Sequence, residues 1–184
     1  MKIWIDADAA PNDVKTIVQR AAARVEVSAL FVANGRLHMP PGNEFVEAVR
    51  VGGGPDAADD HIADEAAAGD VAVTADIPLA ARLVEKGVRT IGPRGDEYTP
   101  ENIGHRLSIR DFMDGLRSTG VDTGGPSSWG TKEKQAFAAT FDRVLTAAVR
   151  ADERARRRAD RDAGADPEAD PQATPGTDPA PGSS

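Results

Sequence analysis

Residues 71–80 read VAVTADIPLA. β-Branched and small apolar residues run up to Thr74, Ala75 and Asp76. Pro78 then opens a helix expected to reach Lys86, because proline suits the first helical turn, where its missing N–H is not needed. The stretch reads as a buried strand that delivers a carboxylate to its C-terminal edge. Residues 2–5 repeat the arrangement, with a short apolar strand followed by Asp6 and Asp8, after which Pro11 starts another helix. In an open parallel sheet, ligand sites lie outside the carboxyl ends of the strands, where the strand order reverses. The two acid-bearing strand ends are expected side by side at that point.

Outward from these two units, residues 11–24 predict a helix, 25–32 a strand, and 34–43 a loop holding Gly35, Pro40, Pro41 and Gly42. A third strand is expected over 45–51. Gly52, Gly53, Gly54 and Pro55 end it, and a helix runs from Asp56 to about residue 68, with Gly69 as its stop and Asp70 leading into the central strand. Residues 88–91 form the last short strand. Strands alternating with helices imply βαβ units, hence an α/β fold with a mostly parallel sheet covered on both faces. Beyond Pro93, Arg94 and Gly95 the pattern turns helical over 100–118, with Ile103, Leu107, Phe112 and Leu116 near helical spacing. A turn at Gly124, Gly125 and Pro126 leads to a last helix over 132–158. Residues 1–150 are expected to form a single α/β domain, and 151–184 a helix extension and tail. Past about Arg158, Pro167, Pro171, Pro175, Pro179 and Pro181 stand among small and acidic residues with no large apolar side chain. Nothing there offsets the entropy of ordering, so disorder is expected.

The chain has 184 residues, 40% hydrophobic and 28% charged, enough for one domain with its own core. No apolar run is long enough for a membrane span, and only Lys2 precedes the first strand, so no signal peptide is expected. The absence of cysteine excludes disulfides and thiolate chemistry and points to the cytoplasm. The net charge is -8, of which residues 151–184 supply five Arg against eight acids, or -3, leaving -5 for the body. An acidic body has no general attraction for nucleic acid, so any such role must rely on local charge. The cluster Arg154, Arg156, Arg157 and Arg158 could touch phosphate, but its flanking Asp152, Glu153, Asp160 and Asp162 favour a solvated helix end.

Asp56 and Asp59 stand three apart at the start of a helix and share one face, with Asp60 and Asp64 following. One structural explanation is that Asp56 or Asp59 caps the helix and favours its positive dipole end. Asp6 and Asp76 are harder to explain structurally, because a carboxylate just past a buried strand is costly unless it is solvated, paired or bound to a cation. No single Asp is specific; the signal is the combination of Asp6, Asp8, Asp59 and Asp76 at one sheet edge, with Asp56 as a further candidate ligand. Hard oxygen donors of this kind suit Mg²⁺ or Mn²⁺, which take one or two carboxylates and complete their shells with water and phosphate. Such an ion would reverse the local field, activate water and neutralise a leaving oxygen, which reconciles an acidic protein with an anionic substrate. Thr74 could orient Asp76 or water through its hydroxyl, or serve only as a β-branched strand residue.

The stretches IWIDADAAPNDVK, VGGGPDAADDHIAD, VTADIPLA, PRGDEYTPENI, RDFMDGLRSTG and TGGP, in collinear order over about residues 1–145, resemble the YaiI/YqxD family of bacterial proteins. That family is similar to PIN-like domains. The correspondence lies in Asp6 and Asp8 after the first strand, in Asp59 followed by Ile62 and Ala63, and in Thr74 and Asp76 after an apolar strand. PIN-like domains are three-layer α/β folds, often metal-dependent ribonucleases, and the resemblance implies a strand order of 3-2-1-4-5. Family members usually read DADACP where this chain has Ala10, so no mechanism that needs that thiol carries over.

Among polar candidates, Arg94 follows the last strand on the acid-bearing edge, and Arg110 with Asp111 lies in the RDFMD helix. Either guanidinium could clamp phosphate, while an ion pair along the helix is the simpler role for Arg110. Asn34 could touch a sugar or phosphate or simply make a turn with Gly35. Lys15 lies one turn into the first helix. His38, His61 and His105 lack metal-ligand spacing. Trp129 and Tyr98 are expected in loops, where they could stack on bases or pack over the sheet edge. The leading expectation is Mg²⁺- or Mn²⁺-dependent phosphodiester hydrolysis, with RNA as substrate. The alternatives are a non-catalytic PIN-like module that binds RNA or protein, and a phosphatase resembling the haloacid dehalogenases with Asp6 as nucleophile. The last lacks a clear later metal-binding segment.

Overall fold

In the computed structural model, residues 1–37, 42–54, 56–119 and 129–164 are described. Among these residues six strands form one sheet in the order β3-β2-β1-β4-β5-β6. They are β1 (Ile3–Asp6), β2 (Ala29–Ala33), β3 (Val46–Arg50), β4 (Val71–Val73), β5 (Arg89–Ile91) and β6 (Glu97–Tyr98). The first five run parallel in the expected order, and β6 returns antiparallel to β5. The chain builds outward from β1 to β3, then crosses back to β4, so the strand order reverses between β1 and β4.

Successive side chains of a strand point to opposite faces, and this alternation separates two core layers. Ile3, Ile5, Val71 and Val73 face α1 (Asn12–Val25) and α5 (Thr131–Gly164), meeting Val14, Val18, Phe137, Phe141 and Leu145. Trp4 and Ala72 face α2 (Ala57–Glu65) and α3 (Ile77–Glu85), meeting Ala58, Ile62, Leu79 and Leu83. Phe137 and Phe141 stack at 5.4 Å and are fully buried, each stabilising α5 on the sheet by about 1.5–3 kcal/mol. The helix α4 (Ile103–Ser118) packs on α3. No helix among the described residues is long and apolar enough to cross a membrane.

The elements depart from expectation where local geometry overrides pattern. The strand expected from residue 25 begins only at Ala29, because α1 runs through Val25 and the chain turns at Glu26 in the left-handed region (φ 55°). Val25 and Val27 pack against the core from outside the sheet. The helix α2 ends at Glu65 rather than near residue 68, because Asp70 Oδ2 accepts the Ala67 N–H while the Asp70 N–H bonds Ala67 O, closing a turn into β4. Tyr98, expected in a loop, lies on the two-residue strand β6, which is too short to show alternation. Of the spaced apolar residues of α4, Ile103, Leu107 and Leu116 are half-buried and Phe112 is 65% exposed, so the helix covers α3 without burying any side chain fully. The last helix continues past Arg158 to Gly164, into the span expected to be disordered, and Arg156 pairs with Asp152 one turn earlier. The expected turn at 124–126, Pro40, Pro41, Pro55, His38 and the tail from residue 165 lie outside the described residues.

Candidate functional site

Pairing of Ile5 with Val73 sets the next residues, Asp6 and Thr74, side by side across the β1/β4 reversal. Both side chains share the face of Trp4 and Ala72, toward the N-termini of α2 and α3. Asp6 is only 5% exposed. Its Oδ2 accepts a hydrogen bond from Thr74 Oγ1 at 3.1 Å and its Oδ1 a long one from the Ala9 N–H at 3.4 Å. Thr74 Oγ1 in turn accepts the Asp76 N–H at 3.0 Å, and Asp76 Oδ1 accepts the Leu79 N–H at 2.7 Å. Thr74 is therefore a positioning residue that joins the two acids, and Asp76 is the N-cap of α3, a usual role for Asp before a helix. The cap considered for Asp56 or Asp59 on α2 is not made by a side-chain bond. Asp56 stands before α2 without a capping side-chain bond, and Asp59 lies within the first turn of α2.

Loss of water is the main force pushing the Asp6 carboxyl above its ordinary range. The Thr74 hydroxyl and the Ala9 N–H oppose it, while the charges of Asp8 and Asp76 add to it. The Asp59 carboxyl is pushed up to about 6, first by desolvation and then by Asp6, Asp76 and Asp56, with Arg82 pulling the other way. These acids thus share one electrostatic field. They do not form a cage, since among the described residues no three His, Cys, Asp or Glu side chains close on one point as a metal-holding group. Asp8 is exposed and turns toward β2, its Oδ2 accepting the Asn34 N–H at 2.7 Å. Asn34 and Asp8 therefore meet past the carboxyl ends of β2 and β1.

The basic candidates separate. Arg94 lies against Glu133 at 3.8 Å and lines a cleft of about 420 Å³ with Ala9, Pro11, Ala75, Tyr98 and Trp129. Arg110 is engaged along α4 by Asp111 at 3.3 Å and Asp114 at 3.5 Å, the simpler ion-pair role expected from its neighbours, and is not brought to the acids. Lys15 is half-buried on α1. His61 packs edge-on against Trp4 and His105 is exposed. Ala10 is buried in the core beside α1, so the side chain that replaces the family cysteine faces packing. Sequence reasoning missed Arg82, whose Nη1 meets Asp60 at 2.8 Å and whose charge reaches Asp59. Arg82 and Asp60 are 22 residues apart on two helices, and only the packing of α2 against α3 joins them.

The sequence profile of the "uncharacterized BCR, YaiI/YqxD family" matches residues 4–147, spanning the sheet and the acid edge. This chain belongs to the YaiI/YqxD family. Its curated relatives include a UPF0178 protein of Myxococcus xanthus, 51% identical over 83% of this chain and 99% of the relative. Another is a UPF0178 protein of Pseudoalteromonas atlantica, 51% identical over 79% of this chain and 98% of the relative. The UPF0178 protein YaiI of Escherichia coli is 50% identical over 78% of this chain and 92% of the relative. No solved structure matches this YaiI/YqxD chain.

Proposed function

We propose that this YaiI/YqxD protein is a divalent-metal-dependent phosphodiester hydrolase acting on RNA at the β1/β4 edge. The observation that carries the reading is the shared field of Asp6, Asp59 and Asp76, three carboxylates that repel one another at the reversal of strand order. Their hard oxygen donors fit Mg²⁺ or Mn²⁺. The lack of a three-carboxylate cage among the described residues limits their share to one or two ligands, the share Mg²⁺ commonly takes when water and substrate phosphate complete its shell. Asp6 with Asp59 or Asp76 would hold the ion, and Asp8 and Asp56 would lie in its outer field. When bound, the ion would activate water and neutralise the leaving oxygen. Asp59, whose carboxyl is raised by desolvation and by the charges of Asp6 and Asp76, is a carboxylate whose crowding a bound ion would relieve. Thr74 holds Asp6 in place, and Arg94 draws the phosphate from the cleft side.

The non-catalytic module is favoured by two observations: Asp76 has a structural role as a cap, and the acids do not close into a cage among the described residues. The phosphatase reading, with Asp6 as nucleophile, has no observation of its own in its favour. Calorimetric titration of Mn²⁺ into the wild type, Asp6→Asn and Asp76→Asn, with cleavage of single-stranded RNA measured in parallel, separates the readings. Asparagine keeps the acceptor that Leu79 requires, so Asp76→Asn should fold. Saturable binding and cleavage lost together in both variants is the expected result. Absence of both in the wild type, with RNA present to supply phosphate, sinks the hydrolase and leaves the binding module.

A further inference from the structure

The cleft beside the acid edge is distinct from the carboxylate cluster yet shares its walls. Ala75 stands between Thr74 and Asp76, and Ala9 donates its N–H to Asp6, so each loop turns one side to the acids and the other to the cleft. The half-buried Trp129 indole forms another wall, packed against the core, and its Nε1 donates a long hydrogen bond to Asp13 Oδ2 on α1 at 3.4 Å. Tyr98 forms the back: its hydroxyl lies so close to Gly92 that a Cβ there would stand 2.7 Å away. Pro11 and Pro93 add apolar edges, and Asp96, held by Arg106 at 2.8 Å, also lines the wall; Arg94, side chain 35% exposed and 3.8 Å from Glu133, supplies the cation. A comparable cleft of about 380 Å³ lies between α1 and the loop before β3, at the opposite sheet edge, and has no indole.

An aromatic face, apolar sides and one guanidinium, with Asp96 already neutralised by Arg106, select a flat, aromatic ligand that carries an anion. The volume falls within the range of about 300–1,000 Å³ usual for small-ligand sites. We propose that this cleft binds one unpaired nucleotide, its base against Trp129 and its phosphate at Arg94, on the acid-facing side. As the substrate subsite of the proposed hydrolase it rests on that reading, but base binding itself needs neither metal nor cleavage. Stacking on an aromatic side chain is sequence-tolerant, so single-stranded rather than duplex nucleic acid is the class selected.

Trp4 and Trp129 are the two tryptophans of the chain, and Trp4 is buried against His61 on the other face of the sheet. Intrinsic fluorescence therefore reports the cleft. Adenosine 5′-monophosphate titrated in chelator should quench the emission saturably, adenosine should do so more weakly, and inorganic phosphate should not quench. Arg94→Gln should weaken the monophosphate about tenfold and leave adenosine unchanged, while Trp129→Phe should abolish the quenching and, if folded by circular dichroism, weaken binding measured by calorimetry. Should Trp129→Phe unfold, Arg94→Gln alone decides. No quenching by millimolar nucleotide, or equal losses for adenosine and its monophosphate in Arg94→Gln, overturns the subsite. Quenching without any RNA cleavage upholds the subsite and removes the hydrolase; cleavage with KM unchanged in Trp129→Phe does the reverse.

Discussion

Replacing Asp59 with asparagine should stabilise the protein at neutral pH, an unusual direction for a change at a half-buried polar residue. The native carboxyl is raised from 3.8 to about 6, so it holds its proton roughly a hundredfold more tightly than in the unfolded chain. Between about pH 4 and pH 6 the native state binds more protons than the unfolded one, and stability falls as pH rises through that window. Above it the full penalty applies. A hundredfold change in proton affinity corresponds to about 2.7 kcal/mol. Water screens a carboxylate this accessible, which reduces the expected effect to about 1 kcal/mol, or about 2–4 °C in Tm for a domain of this size. Asparagine keeps the shape and removes the charge, so the variant loses this source of pH dependence across the window. Urea unfolding of both proteins at about pH 4, 5.5 and 7.5 provides the test. The curves should coincide at the lowest pH and separate by about 1 kcal/mol at the highest, with the variant more stable. A variant equal to or weaker than wild type at pH 7.5, or a gap that persists at pH 4, would refute the idea that crowded charges burden Asp59.

Two further predictions concern the scaffold. Asp70→Ala strips acceptors from the Lys2 N–H at 2.7 Å, Trp4 Nε1 at 2.9 Å and the Ala67 N–H at 3.1 Å; leaving buried donors unpaired should cost at least about 2–3 kcal/mol in chemical unfolding. Gly95→Ala should cost about 3 kcal/mol or more by the same measurement. Gly95 sits at φ 89°, and an added Cβ would stand 2.7 Å from the Ala136 carbonyl carbon, so α5 itself must move.

The parallel core of the fold was legible because each βα unit carries its own punctuation: an apolar run, an acid, then a proline at the head of a helix, as at Val71–Val73 and α3. The resemblance to PIN-like domains supplied the order of the five parallel strands, which periodicity alone does not contain. Features decided by tertiary contact were not legible. The two residues of β6 pair with β5 only after the chain has turned back, and the cleft is assembled from separate stretches of chain, none of them unusual alone. The strand-end position of Asp6 and Thr74 followed from the sequence, but their hydrogen bond depends on the register between β1 and β4. The capping role of Asp76 was hidden for the opposite reason: it suited both a ligand and a cap, and residue type does not separate the two.

Asp6 and Asp70 show what does separate them. Both are buried to the same degree, both lie on or beside the strand pair β1 and β4, and they stand at its opposite ends. Asp70, at the amino edge, is surrounded by donors fixed in the fold: two backbone N–H groups and the Trp4 indole, all within 3.1 Å. Such a carboxylate is fully occupied, and its work is to hold the start of β1 to the turn before β4. Asp6, at the carboxyl edge, has one hydroxyl at 3.1 Å and one amide at 3.4 Å, with the charges of Asp8 and Asp76 added to its burial. A parallel sheet produces this asymmetry by itself, since the amino edge is tied to preceding turns while the carboxyl edge opens where connections diverge. The buried acid with too few donors, rather than the buried acid as such, is the one for which a cation would relieve a cost already built into the fold, and for that reason the proposed chemistry is assigned to Asp6 and its neighbours rather than to Asp70.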